Sequence, residues 1–285
     1  MQLGERDCQI IRLVHRHRFL RSDQIVTFVG GSQQQILRRL QLLFHHGYLE
    51  RPRAQLDSYY HSGNRYVIYG LGRKGEMLLR QEFGIPVYPT SWSGKNHTVG
   101  RMFIEHALLV ADVMLAVELA CRNHVGIQLL YEDDLAIRSE RQPFQWKVTI
   151  KGGMKLGVVP DRVFALEYPD AAGQSQRAYF FLEADRGTMP VKRKALLQTS
   201  FNRKLLAYEA TWAQDIHRRH LGINRFRVLT VTTSAARVKS LVEACSELHR
   251  GHGLFLFTDK SVLSGDLFSH VWQSGRPGVT GRLLN

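Results

Sequence analysis

The sequence predicts an α+β or α/β protein with two modules, a helical N-terminal module and a larger domain built on a mixed β-sheet. Hydrophobic residues make up 44% of the 285 residues, which is enough to form two modest cores or one large one. Apolar residues recur at helical spacing in the first fifty positions, whereas strand-like and helical runs alternate farther along the chain. We predict domains at residues 1–85 and 97–260, followed by a C-terminal extension at 261–285.

The chain is strongly basic, with 39 Lys and Arg residues against 25 Asp and Glu and a formal net charge of +14. Residues 1–90 and 186–227 carry net charges of +6 and +8, whereas residues 91–185 carry −2. Such a field attracts polyanions, of which nucleic acid is the first candidate and an anionic membrane the second. An acidic middle between two basic blocks is typical of a nuclease, and ordinary solvated charges are the alternative.

Cysteine usage and hydropathy predict a cytoplasmic protein without a membrane segment. Cys8, Cys121 and Cys245 are far apart and lack CxxC spacing, so neither a disulfide framework nor a cysteine zinc site is indicated. The N-terminus has no apolar signal core, and charged residues interrupt the most apolar helical stretch, residues 103–120. We therefore expect no membrane partner.

Three helices are predicted in the N-terminal module. The first covers residues 5–17, where apolar residues recur at helical spacing. The second begins at Ser22 and ends at the Gly30-Gly31 turn, and the third is capped by Ser32 and ends at Gly47. This order of two helices, a tight glycine turn and a further helix is typical of a helix-turn-helix.

The pattern after the third helix predicts strands at residues 48–51 and 66–69 around a basic loop. On the third helix Gln34, Arg38 and Gln41 fall on the outward face, where glutamine can pair with adenine and arginine with guanine or phosphate. The module therefore reads as a winged helix-turn-helix that binds DNA; a protein-interaction module with solvated arginines is the alternative. The predicted DNA-binding residues are Gln34, Arg38, Arg39, Gln41, Arg53 and Arg65.

The larger domain shows a long helix, a series of strands and then helices and strands in alternation, which implies a mixed central sheet. The second of its predicted helices is basic. The predicted helices cover residues 99–121, 191–213 and 236–248, and the predicted strands cover 127–131, 147–150, 158–166, 178–185, 226–231 and 254–257.

Three carboxylates are placed to converge at one edge of that sheet. Asp161 follows Pro160, and Glu183 and Asp185 end the next strand on one face, because strand side chains alternate. Clustered carboxylates repel unless a cation joins them, and hard oxygen ligands select Mg²⁺ or Mn²⁺, which would activate water for attack on phosphate. The alternative is that Asp161 caps a strand entry while the other two form ion pairs. The candidate partners are Arg162, Arg186 and Lys204.

Short motifs spread over roughly residues 3–235 form a recognisable pattern. The motifs are Glu5-Arg6-Asp7, Arg18-Phe19-Leu20, Asp23-Gln24-Ile25, Gly47-Tyr48-Leu49, Pro160-Asp161, Phe181-Leu182-Glu183-Ala184-Asp185-Arg186-Gly187-Thr188 and Lys204-Leu205-Leu206-Ala207-Tyr208. The pattern resembles the replication-relaxation family of plasmid and mobile-element proteins. That resemblance implies a winged helix fused to a restriction-endonuclease-like core of the PD-(D/E)XK type.

Within that resemblance Asp161 would be the PD aspartate and Glu183 the second acidic ligand, with Glu105 a weaker candidate for a further acidic position. The chain departs from the nuclease pattern two residues after Glu183, where Asp185 stands in place of the usual lysine. A lysine there offsets negative charge in the transition state. Either Asp185 is an extra metal ligand or another cation takes the role. The candidates are Lys204, Lys192 and Lys194.

Two functions follow, because some members of the family nick plasmid DNA as relaxases and many are known only as DNA-binding proteins. The first is a metal-dependent nickase: Asp161, Glu183 and Asp185 bind Mg or Mn, and Lys204 stabilises the developing charge. The second is a non-catalytic transcriptional regulator or replication accessory factor with a degenerate nuclease-like domain, for which a homodimer is considered. In both, further cations would hold the DNA backbone. These are Lys192, Arg193 and Lys194.

Other constellations receive less weight. Tyr208 lies four residues after Lys204, which allows a tyrosine nucleophile, although a tyrosine on an amphipathic helix usually packs. His217 and His220 have metal-ligand spacing but no acidic or cysteine partner close by. Residues 72–75 are predicted as a turn, and the absence of GxxxxGK[ST] spacing excludes a P-loop NTPase.

Overall fold

A computed structural model describes the fold of most of the chain. The described residues are 1–55, 66–85, 99–135, 144–150, 152–195 and 198–284. They divide into two compact units, unit 1 (Met1–Leu115) and unit 2 (Ala116–Asn285), and the division falls inside a long helix. The boundary predicted between residues 85 and 97 lies almost wholly outside the described residues.

The helices of unit 1 begin where the sequence supplies hydrogen-bond partners for the first turn. Asp7 Oδ2 accepts from the N–H of Gly4 at 2.8 Å, and Ser32 Oγ accepts from the N–H of Gln35 at 3.4 Å. The first three helices agree with the prediction. The helices are α1 (Glu5–His17), α2 (Ser22–Val29), α3 (Gln33–His45), α4 (Arg73–Phe83) and α5 (Arg101–Asn123), the last of which continues into unit 2.

A three-stranded antiparallel sheet accompanies these helices. Its strands are β1 (Phe19–Arg21), β2 (Leu49–Glu50) and β3 (Ile68–Leu71), with β3 in the centre. The sequence predicts β2 and β3 but not β1, because three residues are too few for an alternating pattern. Residues 56–65, including the predicted DNA-binding Arg65, lie outside the described part of the chain.

The turn predicted at residues 72–75 is wrong, because α4 begins at Arg73. The glycines there serve close packing. A Cβ on Gly72 would lie 2.5 Å from the carbonyl oxygen of Gly47, and a Cβ on Gly75 would lie 2.4 Å from that of Tyr48. The start of α4 therefore sits directly against the backbone that follows α3.

Unit 2 contains a mixed seven-stranded sheet and a separate two-stranded ribbon. Its strands are β4 (Gln128–Tyr131), β5 (Trp146–Thr149), β6 (Lys155–Val158), β7 (Arg162–Pro169), β8 (Ser175–Ala184), β9 (Phe226–Thr232), β10 (Phe255–Asp259), β11 (Trp272–Ser274) and β12 (Thr280–Gly281). The sheet order is β12-β11-β10-β9-β8-β7-β4, and β5 pairs only with β6 among the described strands. The β8–β9 and β9–β10 pairs are parallel and the others antiparallel, which confirms the α+β class with a mixed sheet.

The strand predicted at residues 158–166 is two strands that belong to different sheets. β6 ends at Val158 in the ribbon, and β7 begins at Arg162 in the main sheet. Pro160 lies between them, and it has no N–H for a strand ladder. Asp161 consequently precedes β7, and its N–H donates to the carbonyl of Leu182 in β8 at 3.0 Å.

Unit 2 differs from the prediction at the start of the basic helix and in the C-terminal segment. Its helices after α5 are α6 (Phe201–Ala213), α7 (Ile216–Arg219) and α8 (Ala235–Ser246). The basic helix predicted at 191–213 begins only at Phe201, because the N–H of Phe201 bonds to the carbonyl of Pro190 at 3.0 Å and the chain folds back before the helix. The segment 261–285 supplies β11 and β12, so it is part of the sheet and not a separate extension.

An aromatic core fixes α6 against the sheet. The Tyr208 ring stacks on Phe181 of β8 at 6.0 Å, and Phe181 in turn contacts Phe226 of β9 at 4.8 Å between centroids. These rings are buried, so α6 presents a defined face to the carboxyl end of β8. In the described part of the chain, no helix combines the length and the apolar character that crossing a bilayer requires.

Candidate nucleic-acid interface and carboxylate cluster

The outward face of α3 is polar and accessible. Gln34, Arg38 and Gln41 are exposed, as predicted. The opposite face of the helix is buried in unit 1 through Ile36, Leu40 and Leu43. Because one face is fixed by the core, the other offers amide and guanidinium groups on a rigid backbone.

Arg39 is less exposed than its neighbour Arg38. Its guanidinium forms an ion pair with Asp7 of α1, with a 2.8 Å hydrogen bond from Nε, and it also contacts the carbonyl of Gln2. Asp7 is only 1% exposed, so Arg39 compensates a buried charge. Arg39 therefore has a structural role inside unit 1 through Nε and Nη2, and DNA binding by this residue stays a prediction.

Arg53 is exposed in a short 3₁₀ turn after β2, in agreement with its predicted accessibility. Arg51 beside it was not predicted as a functional residue. It stacks over the ring of Phe44 at 4.2 Å and donates to the hydroxyl of Tyr69 at 3.1 Å. These contacts hold the end of α3 against the sheet.

The three predicted carboxylates do meet at the carboxyl end of β8. Asp161 bridges to this strand, because its Oδ2 accepts from the N–H of Ala184 at 2.8 Å. Glu183 and Asp185 follow on alternate positions and are both buried. The sequence-based expectation of convergence at one edge is sound, but each carboxylate has its own partners.

Glu183 is held by side chains from α6. It is 2% exposed, forms an ion pair with Lys204, and accepts from the hydroxyl of Tyr208 at 2.5 Å. Burial raises the pKa of Glu183 to about 7, an effect that Lys204 opposes and Asp161 reinforces. Of the predicted cations, Lys204 is the one that reaches this carboxylate.

The partners of Glu183 are perturbed in turn. Burial alone would lower the pKa of Lys204, but Glu183 and Asp161 together raise it, so the ammonium stays charged. Burial and the neighbouring Glu183 raise the pKa of Tyr208 well above its usual range. The Tyr208 phenol is buried and donates a hydrogen bond to Glu183, and this arrangement favours a packing role over that of a nucleophile.

Asp185 is bound by a residue that the sequence does not single out. Arg237 donates to it from Nε at 2.8 Å and from Nη2 at 3.2 Å, and the Thr232 hydroxyl donates at 2.7 Å. Arg237 lies in the first turn of α8, directly after β9. The strand order could have indicated Arg237 as a partner. β9 runs parallel to β8, so α8, which follows β9, begins at the same edge of the sheet as Asp185.

The described residues contain no group of three or more His, Cys, Asp and Glu side chains placed to hold a metal ion. The predicted ligands of Mg²⁺ or Mn²⁺ are engaged by neighbouring side chains in this structure, and metal binding stays a prediction. Both oxygens of Glu183 accept hydrogen bonds from Lys204 and Tyr208, and those of Asp185 accept from Arg237, among others. The geometry favours the alternative that these carboxylates form ion pairs.

The remaining predicted cations lie before α6 rather than on it. Lys192, Arg193 and Lys194 are exposed. Lys192 forms an ion pair with Glu247, and Arg193 Nε donates to the carbonyl of Thr199 at 3.0 Å. Two of the three thus have partners within unit 2.

The structure also shows the environments of Glu105 and of the histidine pair His217 and His220, which the sequence offered as weaker candidates. Glu105 pairs with Arg101 one turn earlier in α5 at 2.6 Å. His217 is buried and stacks on Trp212 with centroids 4.6 Å apart, whereas His220 is exposed. A buried ring and an exposed one do not form a shared metal site, so the metal-ligand interpretation of this pair is wrong.

The fold and the site define an α+β protein that displays a polar helix face in one unit and holds its acidic cluster in ion pairs in the other. The chain belongs to the replication-relaxation family, whose model matches residues 11–225. This membership confirms the resemblance and points to a role in the replication or relaxation of plasmid or mobile-element DNA. No curated protein and no solved structure matches the chain.

Proposed function

We propose that this member of the replication-relaxation family binds duplex DNA through the outward face of α3 and acts without cutting it. The observation that carries the proposal is the exposed row of Gln34, Arg38 and Gln41 on a helix whose other face is buried. Glutamine matches the donor and acceptor pattern of adenine in the major groove, and arginine matches that of guanine.

The order of elements in unit 1 supports this proposal. Helices α2 and α3 are separated by the Gly30-Gly31 turn, and β2 and β3 follow, as in a winged helix-turn-helix. The Asp7–Arg39 pair ties α3 to α1, so the helix that would enter the groove has a fixed position. Arg53 would contribute a backbone contact from the start of the loop.

The state of the carboxylates favours the non-catalytic alternative over the nickase. A nuclease of the implied type needs Asp161 and Glu183 free to share a cation, yet Glu183 is committed to Lys204 and Tyr208. In this proposal unit 2 serves as a folded platform, and its acidic cluster stabilises the join between β8 and α6.

DNA binding is tested by fluorescence anisotropy with duplexes selected from a random pool. Arg38→Ala should weaken binding to the selected duplex about tenfold or more, because a base-reading arginine contributes roughly 1–3 kcal/mol. Arg73→Ala is the matched control, since it removes an exposed arginine of unit 1 that lies on α4. Equal effects of the two substitutions would contradict base reading by α3.

Catalysis is tested separately with supercoiled plasmid in Mg²⁺ or Mn²⁺. We expect bound but uncut plasmid. Metal-dependent open-circle product that disappears in Asp161→Ala and in the presence of chelator would overturn the non-catalytic part of the proposal, leave DNA binding intact, and establish the nickase.

A further inference from the structure

A second basic surface lies on unit 2, apart from the acidic cluster. Four exposed cationic or titratable side chains occur within eight residues of α7 and the segment after it. We call this the α7 surface; it consists of Arg218, Arg219, His220 and Arg225.

Buried anchors alternate with these exposed side chains. His217 stacks on Trp212 with an interplanar angle of 10° and meets the edge of Phe226 at 5.3 Å. Leu221 and Ile223 are buried in the core of unit 2. The backbone that carries the basic side chains is therefore fixed at several points, and the charges are displayed on a rigid support.

The β5–β6 ribbon adds two lysines next to this segment. Gln214, two residues before α7 begins, donates from its side chain to the carbonyl of Thr149 in β5 at 2.6 Å. On the ribbon Lys147 and Lys155 are exposed, whereas the alternate side chains pack against the core. The hydrogen bond thus joins the lysine-bearing ribbon to the start of the α7 segment.

The α7 surface differs from Lys204 and Arg237 of the same unit, which neutralise buried carboxylates. Arg218 is 56% exposed, and its ion pair within the described residues is a long, exposed contact of 3.7 Å with Asp215, the kind of pair that contributes about 0–1 kcal/mol. Concentrated positive charge of this kind carries a cost in self-repulsion that an anionic partner removes.

We propose that the α7 surface, together with Lys147 and Lys155, binds the phosphate backbone of DNA as a second, sequence-independent contact. This inference rests on the proposed function, since both require that the protein binds DNA. Arginine forks match phosphate oxygens bidentately. A membrane fits less well, because no large apolar side chain is exposed within residues 214–227 to enter a bilayer.

The experiment measures affinity for a random-sequence duplex as a function of salt concentration. Each phosphate contact adds about 0.9 to the slope of log K against log salt. Arg218→Ala with Arg219→Ala should therefore reduce the slope by about two and weaken binding to selected and random duplexes alike. The charge-matched control is Lys260→Ala with Arg276→Ala, which removes two exposed cations of unit 2 outside the surface and should leave the slope unchanged.

The outcomes separate this inference from the proposed function. If the double variant keeps the wild-type slope while Arg38→Ala still weakens selected binding, the α7 surface is not a DNA contact and the proposed function stands. If wild-type protein binds no duplex at low salt, both fail. Loss of binding to vesicles of anionic lipid, with the DNA slope retained, would assign the surface to membranes instead. Arg218→Lys with Arg219→Lys should restore the slope, and its failure to do so would indicate damaged packing rather than lost charge and overturn the proposal.

Discussion

Asp7 in unit 1 and Glu183 in unit 2 are both buried carboxylates that pair with a cation on a helix, but they are supported in different ways. Asp7 lies in the first turn of α1, where it accepts from the backbone N–H of Gly4, and its partner Arg39 is 31% exposed. Glu183 lies near the carboxyl end of a central strand, where its partners are the side chains of Lys204 and Tyr208. A helix N-terminus stabilises an acid through backbone dipoles, whereas a sheet interior leaves the compensation to side chains.

Asp7 should therefore depend less on Arg39 than Glu183 depends on Lys204. If Arg39 is removed, Asp7 still accepts a hydrogen bond from the backbone N–H of Gly4 at the start of α1. If Lys204 is removed, Glu183 has no route to solvent. Unit 2 should therefore be far more sensitive to loss of its ion-pair partner than unit 1.

The largest expected effect is that of Lys204→Met. Above about pH 7, where Glu183 is ionised, the substitution leaves this carboxylate buried without a counter-charge, and breaking such a pair costs roughly 3–5 kcal/mol. Urea unfolding followed by tryptophan fluorescence measures it, because three of the four tryptophans, Trp146, Trp212 and Trp272, lie in unit 2. Adding Glu183→Gln to this variant should recover much of the loss. If Lys204→Met lowers the free energy of unfolding by less than about 1 kcal/mol, the two units do not differ in their dependence on the cation.

The second expected effect is a pH dependence of the stability of unit 2. The pKa of Glu183 is raised from 4.5 to about 7 by burial, so between these values the folded protein holds a proton that the unfolded chain releases. This contribution to stability is fully present below about pH 4.5 and is lost as the pH rises through about 7.

The urea midpoint of unfolding, followed by tryptophan fluorescence, should accordingly fall more steeply between pH 5 and pH 7 in wild type than in Glu183→Gln. Parallel curves for the two proteins would mean that Glu183 stays ionised throughout, and the contrast with unit 1 would then rest on packing alone.

A smaller effect is expected for Asp7→Ala in unit 1. Its cost should be about 1–2 kcal/mol, because the hydrogen bonds to Gly4 and Arg39 are lost while the arginine gains access to water. Hydrogen exchange of the α1 and α3 amides reports the loss locally. A cost equal to that of Lys204→Met would remove the proposed distinction between helix-supported and strand-supported carboxylates.

The smallest effect on stability is expected for Arg38→Ala. This exposed arginine should change the free energy of unfolding by less than about 0.5 kcal/mol, whereas its neighbour Arg39, replaced by alanine, should cost several times more. Thermal unfolding of the two variants checks this. If Arg38→Ala destabilises unit 1, its effect on DNA binding would no longer identify a contact residue.

The first three helices of unit 1 were predictable because the residues that define each of them are close together in the sequence. Apolar spacing, the acceptors near each start and the Gly30-Gly31 turn all lie within one helix or beside it, and α1, α2 and α3 follow them closely. The different environments of Arg38, which is exposed, and Arg39, which pairs with Asp7, were not predictable in this way. Adjacent arginines look alike in sequence, and the position of Asp7 on another helix decides which of them is used internally.

The sequence alone determined the fold class, the family and the identity of the acidic residues that meet at the end of β8. These depend on periodicity, residue type and short motifs, which are properties of neighbouring positions. Only the tertiary structure decided that Glu183 pairs with Lys204 and Asp185 with Arg237, and that a predicted strand divides between two sheets at Pro160. The physical reason is that a buried charge takes whichever partner the packing of distant elements brings within hydrogen-bond reach, and no local pattern records that choice.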